Sequence, residues 1–208
     1  MIKKIDILIK KIRLFRILNS DGYLHDLGFV NSMLYKVPKN KNNEPIPWLT
    51  YPIIDFLVPR LNNKFNLLEY GAGYSTLYFS KYFNNILSIE HNKEWVDILK
   101  YKIPSNCKVI HSEDNKDDYV SNINIQSKFD VILIDGLFRN TCAINCLKYL
   151  RSNGVIIFDD SNRLDYDQGF SYLLDKKFKR LDFWGLSPGS HRNNCTTIFY
   201  LENNCLGI

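Results

Sequence analysis

The chain has 208 residues, of which 27 are Lys or Arg and 22 are Asp or Glu, and its formal net charge is +5. This length is typical of one globular domain with a short appendage, and a content of 45% hydrophobic and 24% charged residues argues against a disordered chain. Residues 1–20 hold six of the basic residues and one acid, so the excess positive charge belongs to an N-terminal arm. That distribution argues against a basic nucleic-acid-binding groove in the main body.

The N-terminal arm has the pattern of an amphipathic helix. Over residues 2–18, apolar side chains stand at positions 5, 8, 9, 12 and 15, with Lys and Arg between them. We expect this helix to dock on its own domain; a weak contact of residues 1–20 with a membrane surface or a partner is the alternative. The apolar runs of the arm are too short for a signal-peptide core or a membrane span, so the expected location is cytoplasmic.

A loop follows the arm and precedes the main domain. Residues 36–47 are rich in Lys, Asn and Pro, which predicts a loop. We therefore divide the chain into an N-terminal helical arm with its loop over 1–50 and a single domain over 51–208.

The spacing of the five cysteines does not indicate a disulfide framework or a metal site. They form no Cys-x-x-Cys pair, so the sequence predicts neither a disulfide framework nor a zinc site. Cys142 and Cys146 lie four residues apart and are interpreted as small, buried hydrophobic side chains.

From residue 65 onwards, short apolar runs that end in an acid or Gly alternate with helical patterns. Strands are predicted at 66–70, 86–90, 108–111, 130–134 and 155–158. Helices are predicted near 76–83, 93–101, 142–150 and 167–177. Two further strands, near 179–184 and 195–201, have no helix between them and should pair antiparallel. This alternation predicts one doubly wound, Rossmann-like α/β domain with a mostly parallel, seven-stranded sheet and an antiparallel C-terminal strand.

The end of the first predicted strand carries a glycine-rich turn. Residues 69–76 read Glu-Tyr-Gly-Ala-Gly-Tyr-Ser-Thr and lead directly into a helix. Gly71 and Gly73 would let the backbone turn tightly and approach a ligand. A dinucleotide-binding loop would have a third Gly or Ala where Thr76 stands, so a nucleoside without a pyrophosphate is favoured. Glu90 ends the next strand, where an acid can accept hydrogen bonds from ribose hydroxyls; capping the following helix is the alternative.

These motifs together resemble the class I S-adenosylmethionine-dependent methyltransferases, over about residues 65–200. The resemblance implies that the glycine turn and the acid after it bind S-adenosylmethionine. The cofactor-binding residues that we assign are Glu69, Gly71, Ala72, Gly73, Ser75, Glu90 and Asp135. Residues 111–114 loosely match a polar position near the adenine. The segment at 47–52 is similar to one in uncharacterised bacterial members and is expected to fold over the cofactor, with core packing of Trp48 and Tyr51 as the alternative.

Three aspartates follow the fourth and fifth predicted strands, namely Asp135, Asp159 and Asp160. The layout resembles the catechol-type O-methyltransferases, in which an acid after strand four and Asp-Asn after strand five hold a metal. Asp160 stands here where that family has Asn, which adds negative charge. Two hypotheses result. Either the three aspartates bind Mg²⁺, which prefers carboxylate oxygens, or one aspartate is a general base and another caps the next helix.

Three other side chains could take part in the reaction. Arg139 could hold an anionic substrate or the donor carboxylate, and a salt bridge within the site is an equal alternative. Arg163 could pair with Asp159 or Asp160. Histidine side chains commonly serve as bases, so His191 suits a base or an acceptor contact, although it could equally be a surface side chain. The catalytic residues that we predict are Asp135, Asp160 and His191.

The sequence and the resemblance together predict an enzyme that methylates an oxygen of a small molecule or a glycan component. A nucleic-acid substrate is not expected, because the fourth strand is followed by Asp-Gly-Leu and not by the Asn/Asp-Pro-Pro-Tyr motif of nucleic-acid N-methyltransferases. One alternative is an aminopropyltransferase similar to polyamine synthases, although the extended N-terminal β-region of those enzymes is missing. Another is a non-catalytic adenosyl-binding module that its basic arm tethers.

Overall fold

The computed structural model describes residues 15–121 and 127–208. Within them, seven strands form one sheet: β1 (Asn66–Tyr70), β2 (Asn85–Glu90), β3 (Cys107–His111), β4 (Phe129–Ile134), β5 (Leu150–Phe158), β6 (Lys179–Ser187) and β7 (Ser190–Tyr200). The strand order is β3-β2-β1-β4-β5-β7-β6. Strands β1 to β5 pair in parallel, whereas β7 runs antiparallel to both of its neighbours. The predicted fold class is confirmed, including the antiparallel end.

Eight α-helices lie among the described residues: α1 (Tyr23–Asp26), α2 (Phe29–Tyr35), α3 (Tyr51–Leu57), α4 (Tyr74–Phe79), α5 (Lys93–Lys100), α6 (Lys116–Ser121), α7 (Arg139–Asn145) and α8 (Asp167–Asp175). Four of them match predicted helices. The other four, with four to seven residues each, were not predicted. Cys142 and Cys146 are fully buried free thiols, which confirms their interpretation as small hydrophobic side chains.

The predicted amphipathic helix over 2–18 falls mostly outside the described residues. The described part of the chain begins with Phe15 and a 3-10 turn at Arg16–Leu18. Among the described residues, none of the helices combines the length and the apolar character that crossing a bilayer would require.

The segment before α3 is a loop, as predicted. A single bridge joins Lys39 and Pro45 within it. Ile46 and Leu49 are nevertheless buried, and they pack into the core together with α3. The loop is thus attached to the domain that follows, and the boundary at residue 50 stays a prediction.

The sheet is buried on both faces, because alternate strand residues point to opposite sides. Leu68 and Ile132 face the layer that contains α6, α7 and α8. Leu67 and Val131 face the opposite layer, which contains α3 and α4. The chain therefore builds two apolar layers around the sheet without any disulfide among the described cysteines.

The strand order places the ends of four strands along one edge of the sheet. Tyr70 of β1 pairs with Ile89 of β2 on one side and with Ile134 of β4 on the other, and Ile134 pairs with Phe158 of β5. The chain order reverses at β1, and ligands of open α/β sheets bind beside such a switch point. The loops that leave β1, β2, β4 and β5 therefore surround the candidate site.

Candidate functional site

The turn after β1 requires glycine at position 71. Gly71 has φ of +97°, and a Cβ atom there would lie 2.8 Å from Cα of Gly136. The Gly71 N–H donates to the Ile89 carbonyl at 2.8 Å, and the Asp135 N–H donates to the Tyr70 carbonyl at 2.9 Å. The loops after β1 and β4 are therefore in direct backbone contact, which leaves no room for a side chain between them.

Gly73 is needed for a different reason. Its backbone is extended, and the nearest atom to a Cβ added there would be Nε1 of Trp95, at an ordinary contact distance of 3.7 Å. The Trp95 indole N–H donates to the Ala72 carbonyl at 2.9 Å, and its ring stacks against Tyr74. The fold alone would accept a methyl group at Gly73, so the open space in front of the turn is available to a ligand.

Glu69 lies behind the turn and is fully buried. Its carboxylate accepts hydrogen bonds from the hydroxyls of Ser75, Thr76 and Ser88. Burial raises the pKa of Glu69 to about 7, although the three hydroxyl donors act in the opposite direction. Glu69 thus ties the first turn of α4 to β1 and β2, and it holds the glycine turn from behind.

Glu90, at the end of β2, also contacts the turn. One carboxylate oxygen accepts the Ala72 N–H at 3.0 Å, and the other accepts the Asn92 N–H at 2.8 Å. Nδ1 of His91 lies 2.9 Å from the second oxygen. The carboxylate is therefore fixed in position at the mouth of the turn.

These residues surround a cavity of about 610 Å³, which we call the glycine-loop cavity. The predicted cofactor-binding residues that line it are Gly71, Ala72, Gly73, Ser75, Glu90 and Asp135. Glu69 is not among the lining residues, and neither are residues 111–114. Sequence reasoning missed Asn92, Trp95 and Leu137, which do line it. Asn92 caps the N-terminus of α5, and Asn at such a position could have been recognised in the sequence. The positions of Trp95 and Leu137 in the sequence do not indicate a ligand contact.

The acids after β4 and β5 converge on one guanidinium group, that of Arg139 at the start of α7. Its Nη2 lies 2.9 Å from Oδ1 of Asp135, and its Nη1 lies 3.3 Å from Oδ2 of Asp160. Nη1 also donates to the backbone carbonyl of Asp159 at 2.7 Å. Arg163 lies 2.7 Å from the same oxygen of Asp160. The salt-bridge interpretations of both arginines therefore agree with the structure.

Burial changes the acidity of two of the aspartates. Burial raises the pKa of Asp135 to about 6, and Arg139 limits the rise. Burial and the charges of Asp135 and Asp160 raise the pKa of Asp159 well above its usual value. Oδ1 of Asp159 accepts a hydrogen bond from the Thr196 hydroxyl at 2.6 Å. Arg139 and the Thr196 hydrogen bond lower the pKa of Asp159 but do not offset these effects.

The predicted Mg²⁺ site at Asp135, Asp159 and Asp160 finds no support in this arrangement. In residues 15–121 and 127–208, no group of three or more His, Cys, Asp or Glu side chains is placed to hold a metal ion. The physical reason is that Arg139 supplies the compensating positive charge, and it engages the oxygens that a metal would need. The residues present do not fit the ion, and we derive no step that uses one.

A second cavity, of about 640 Å³, opens beside the first, and we call it the polar cavity. Its wall contains the three aspartates and the two arginines Arg163 and Arg192, together with Asn and Ser side chains from β6, from β7 and from the loop after β5. Trp48 and Asp135 line both cavities. The two cavities therefore meet at the aromatic side chain of Trp48 and at the carboxylate of Asp135.

Three predicted side chains take different places around this junction. Trp48 is 49% exposed and lines the site, whereas Tyr51 is buried in the core. Core packing, the alternative given for both residues, therefore holds for Tyr51 and not for Trp48. His191 is exposed near the β6–β7 turn and does not line either cavity. Its catalytic role stays a prediction without a geometric basis.

Comparison with known proteins identifies relatives at the level of fold. No family profile and no curated protein matches the sequence. Precorrin-6y C5,15-methyltransferase from Geobacter metallireducens superposes with a TM-score of 0.57 at 17% identity, covering 72% of this chain and 88% of that one. The O-methyltransferase TomG from Streptomyces achromogenes, solved in complex with SAM, gives 0.54 at 12% identity, covering 91% and 94%.

A third similar structure is precorrin 8w decarboxylase from Methanobacterium thermoautotrophicum, with a TM-score of 0.54 at 14% identity, covering 80% of this chain and 96% of that one. These likenesses show that the chain has the fold found in class I S-adenosylmethionine-dependent methyltransferases. At this level of identity they do not assign a reaction, because one fold supports several.

Proposed function

We propose that this chain, which has the class I methyltransferase fold, transfers a methyl group from S-adenosylmethionine to an oxygen of a small molecule or a glycan component. One observation carries the proposal: the glycine-loop cavity and the polar cavity meet at Asp135. A donor in the first cavity and an acceptor in the second would then face each other across a carboxylate that can take up a proton.

The glycine-loop cavity suits the donor. The missing side chain of Gly73 leaves room for a ligand to approach the backbone. Glu90 is fixed by two backbone N–H groups, yet the carboxylate oxygen that accepts the Ala72 N–H has a further lone pair for a ribose hydroxyl. Trp95 and Leu137 add apolar surface to the wall, as nucleoside-binding pockets require.

The transfer step needs alignment and the removal of one proton. Bound S-adenosylmethionine supplies a methyl group that its sulfonium already makes electrophilic. An acceptor hydroxyl forms the new carbon–oxygen bond as the carbon–sulfur bond breaks, and the sulfur keeps that electron pair. Asp135 takes the hydroxyl proton. Arg139 holds the carboxylate at 2.9 Å and favours its charged form, so Asp135 is ready to act as a base near neutral pH.

Donor binding and turnover are tested separately. Calorimetry with S-adenosylmethionine and S-adenosylhomocysteine should show binding to the wild type, and Glu90→Ala should weaken both titrations by about tenfold, since it removes a charged hydrogen-bond acceptor. Glu94→Ala is the matched control, because Glu94 lies in the first turn of α5 and does not line the cavity. Tight donor binding in the Glu90 variant would contradict the assignment.

Turnover is measured with donor labelled in its methyl group, against a panel of hydroxyl compounds and cell extracts. The label should move to an oxygen and release S-adenosylhomocysteine. A parallel reaction with decarboxylated donor and putrescine tests the aminopropyltransferase alternative, and aminopropyl product there would replace the proposal. Donor binding without turnover on any acceptor would favour the non-catalytic alternative.

A further inference from the structure

The polar cavity differs from an ordinary small-molecule pocket in its wall. Its volume of about 640 Å³ lies within the usual range for ligand sites. Such sites are lined predominantly by hydrophobic and aromatic side chains. Of the described residues that line this cavity, Trp48 alone is apolar. The ligand that fits it must therefore offer many polar groups and one apolar face.

The polar groups of the wall are held in place by the strands and loops that carry them. The Cys195 N–H donates to Oδ1 of Asn162 at 3.1 Å, which leaves the Asn162 amide group as a donor. Nδ2 of Asn194 donates to the Ser187 hydroxyl oxygen at 2.7 Å, which orients both side chains on the β6–β7 hairpin. Fixed donors and acceptors of this kind favour a ligand whose hydroxyls match them in position.

A flat phenol would satisfy this wall poorly. It has one or two oxygens, so most of the amides, hydroxyls and carboxylates of the cavity would lose water without gaining a partner. Each such loss weakens binding, because the desolvation of the polar group is not compensated by a new hydrogen bond. A sugar ring carries hydroxyls around its whole rim, and it can replace several of the displaced waters at once.

Trp48 provides the surface on which such a ring can pack. It is 49% exposed, and it borders both cavities. The faces of a pyranose ring consist mainly of C–H groups, which pack on an aromatic face, while the hydroxyls at the ring edge stay free for hydrogen bonds. A ring placed on Trp48 would lie in a cavity whose wall also contains Asp135, the proposed base.

We propose that the polar cavity binds a sugar ring and that the methyl acceptor is a carbohydrate hydroxyl. This inference rests on the proposed function and narrows its acceptor. The same ring could come from the end of a glycan or from a nucleotide-activated sugar. The chemistry of the cavity is common to both, and the experiment separates them.

The experiment offers three classes of acceptor to the wild-type protein with methyl-labelled S-adenosylmethionine: methyl glycosides of hexoses and N-acetylhexosamines, nucleotide-linked sugars, and catechol with simple phenols. Binding to protein loaded with S-adenosylhomocysteine is followed by saturation-transfer NMR. We expect label in one sugar class, recovered after acid hydrolysis as a mono-O-methyl monosaccharide.

Label in the phenols and not in the sugars would overturn the inference and leave the proposed function standing. Binding of S-adenosylhomocysteine with no sugar bound or methylated would overturn it as well. Absence of donor binding by calorimetry would count against the proposed function itself.

Two variants test the contacts that carry the inference. Trp48→Ala should raise KM for the sugar at least about tenfold, as expected when a stacking aromatic group is lost. Trp184→Ala is the matched control, because Trp184 is 51% exposed on β6 but does not line either cavity. Equal KM values in these two variants would contradict the stacking contact.

Asn162→Asp keeps the oxygen that accepts the Cys195 N–H and removes the amide donor. Asn162 lines the polar cavity and not the glycine-loop cavity. We therefore expect a rise in KM for the sugar of at least about fivefold with an unchanged affinity for S-adenosylhomocysteine. An unchanged KM would contradict the hydrogen bond from Asn162 to the acceptor.

Discussion

The site has two halves, one beside β1 and β2 and the other beside β4 and β5, and they stabilise buried carboxylates in different ways. Beside β1 and β2, Glu69 accepts hydrogen bonds from three hydroxyls and Glu90 accepts backbone N–H groups. Beside β4 and β5, Asp135 and Asp160 are paired with the guanidinium of Arg139. Hydroxyl and N–H donors and a guanidinium all favour the charged form of a carboxylate, but only the guanidinium also compensates its negative charge.

This difference separates two tasks. The first half is a rigid frame for a ligand whose position must not change. The second half holds Asp135, which lines both cavities and has a pKa of about 6, and this is the region where a proton has to move. Substitutions in the two halves should therefore have different signatures, and the following predictions compare them.

The largest effect is expected for Asp135→Asn, which removes the proposed base. We expect kcat to fall by about 1,000-fold, because the amide cannot accept the acceptor proton. The wild-type rate should rise with pH as Asp135 loses its proton, with a midpoint near its pKa of about 6, and the variant should lose this limb. Steady-state rates between pH 5 and 8 test both points.

Asp160→Asn is the control for that result. Asp160 lines the polar cavity but does not line the glycine-loop cavity. We expect a loss of less than about tenfold, since Asp135 and its partner remain. If the two variants lose equal activity, Asp135 has no special role as the base.

Arg139→Gln should strongly destabilise the second half. It leaves Asp135 and Asp160 without their shared cation, and breaking such a buried ion pair costs about 3 kcal/mol. The pKa of Asp135 should also rise, because Arg139 lowers it, so the acid limb of the rate profile should move to higher pH. Denaturant unfolding and the pH profile measure the two effects.

The more exposed Arg163 provides the comparison. Its side chain is 55% exposed and pairs with Asp160 at 2.7 Å. Arg163→Gln should cost less than about 1 kcal/mol, as is usual for a solvent-exposed pair. A cost as large as that of Arg139→Gln would show that burial does not distinguish the two arginines.

In the first half, Glu69 should make stability depend on pH. Its pKa is raised from 4.5 to about 7, so the folded state holds a proton that the unfolded state has already released between these values. The favourable contribution is fully present below about pH 4.5 and is lost as the pH rises through about 7. The total change is on the order of 3 kcal/mol.

Glu69→Gln should remove that dependence, because glutamine does not titrate. Unfolding free energies measured in urea between pH 4.5 and 8 should fall with pH in the wild type and change less in the variant. Parallel curves for the two proteins would mean that Glu69 keeps its ordinary pKa in the folded chain.

The smallest effects separate the two glycines of the turn. Gly71→Ala should lower the free energy of unfolding by about 2 kcal/mol, because φ of +97° disfavours a side chain and the Cβ would meet Gly136. Gly73→Ala should change stability by less than about 0.5 kcal/mol. It should instead weaken binding of S-adenosylhomocysteine by about tenfold, since the methyl group occupies ligand space. Unfolding curves measure the stability of both variants, and calorimetry measures their affinity for S-adenosylhomocysteine.

The strands were predictable from the sequence because each is a compact apolar run. The run at 66–70 matches β1, and the acids that end the strands could be assigned to the correct edge of the sheet. Helices α1, α2 and α3 were not predicted, because they precede β1 and lie outside the alternation of strands and helices that indicated the others.

The sequence allowed several residues of the site to be predicted, but not the contacts that these residues make with one another. The glycine turn and Glu90 follow from local spacing, and both line the cavity. The pairing of Arg139 with Asp160 joins residues of different loops, and only the approach of β4 and β5 brings them together. The division between an exposed Trp48 and a buried Tyr51 has the same origin, because it depends on which element covers each side chain.

The close approach of Gly71 to Gly136 has a consequence for any attempt to re-engineer this molecule. A Cβ at Gly136 would lie 2.8 Å from the Gly71 nitrogen and 2.0 Å from the Tyr119 hydroxyl oxygen, so neither loop can be enlarged while the other stays unchanged. Mutational libraries that vary one loop alone should be depleted of working clones. Libraries that vary the loops after β1 and β4 together with Tyr119 offer the more promising route to new specificity.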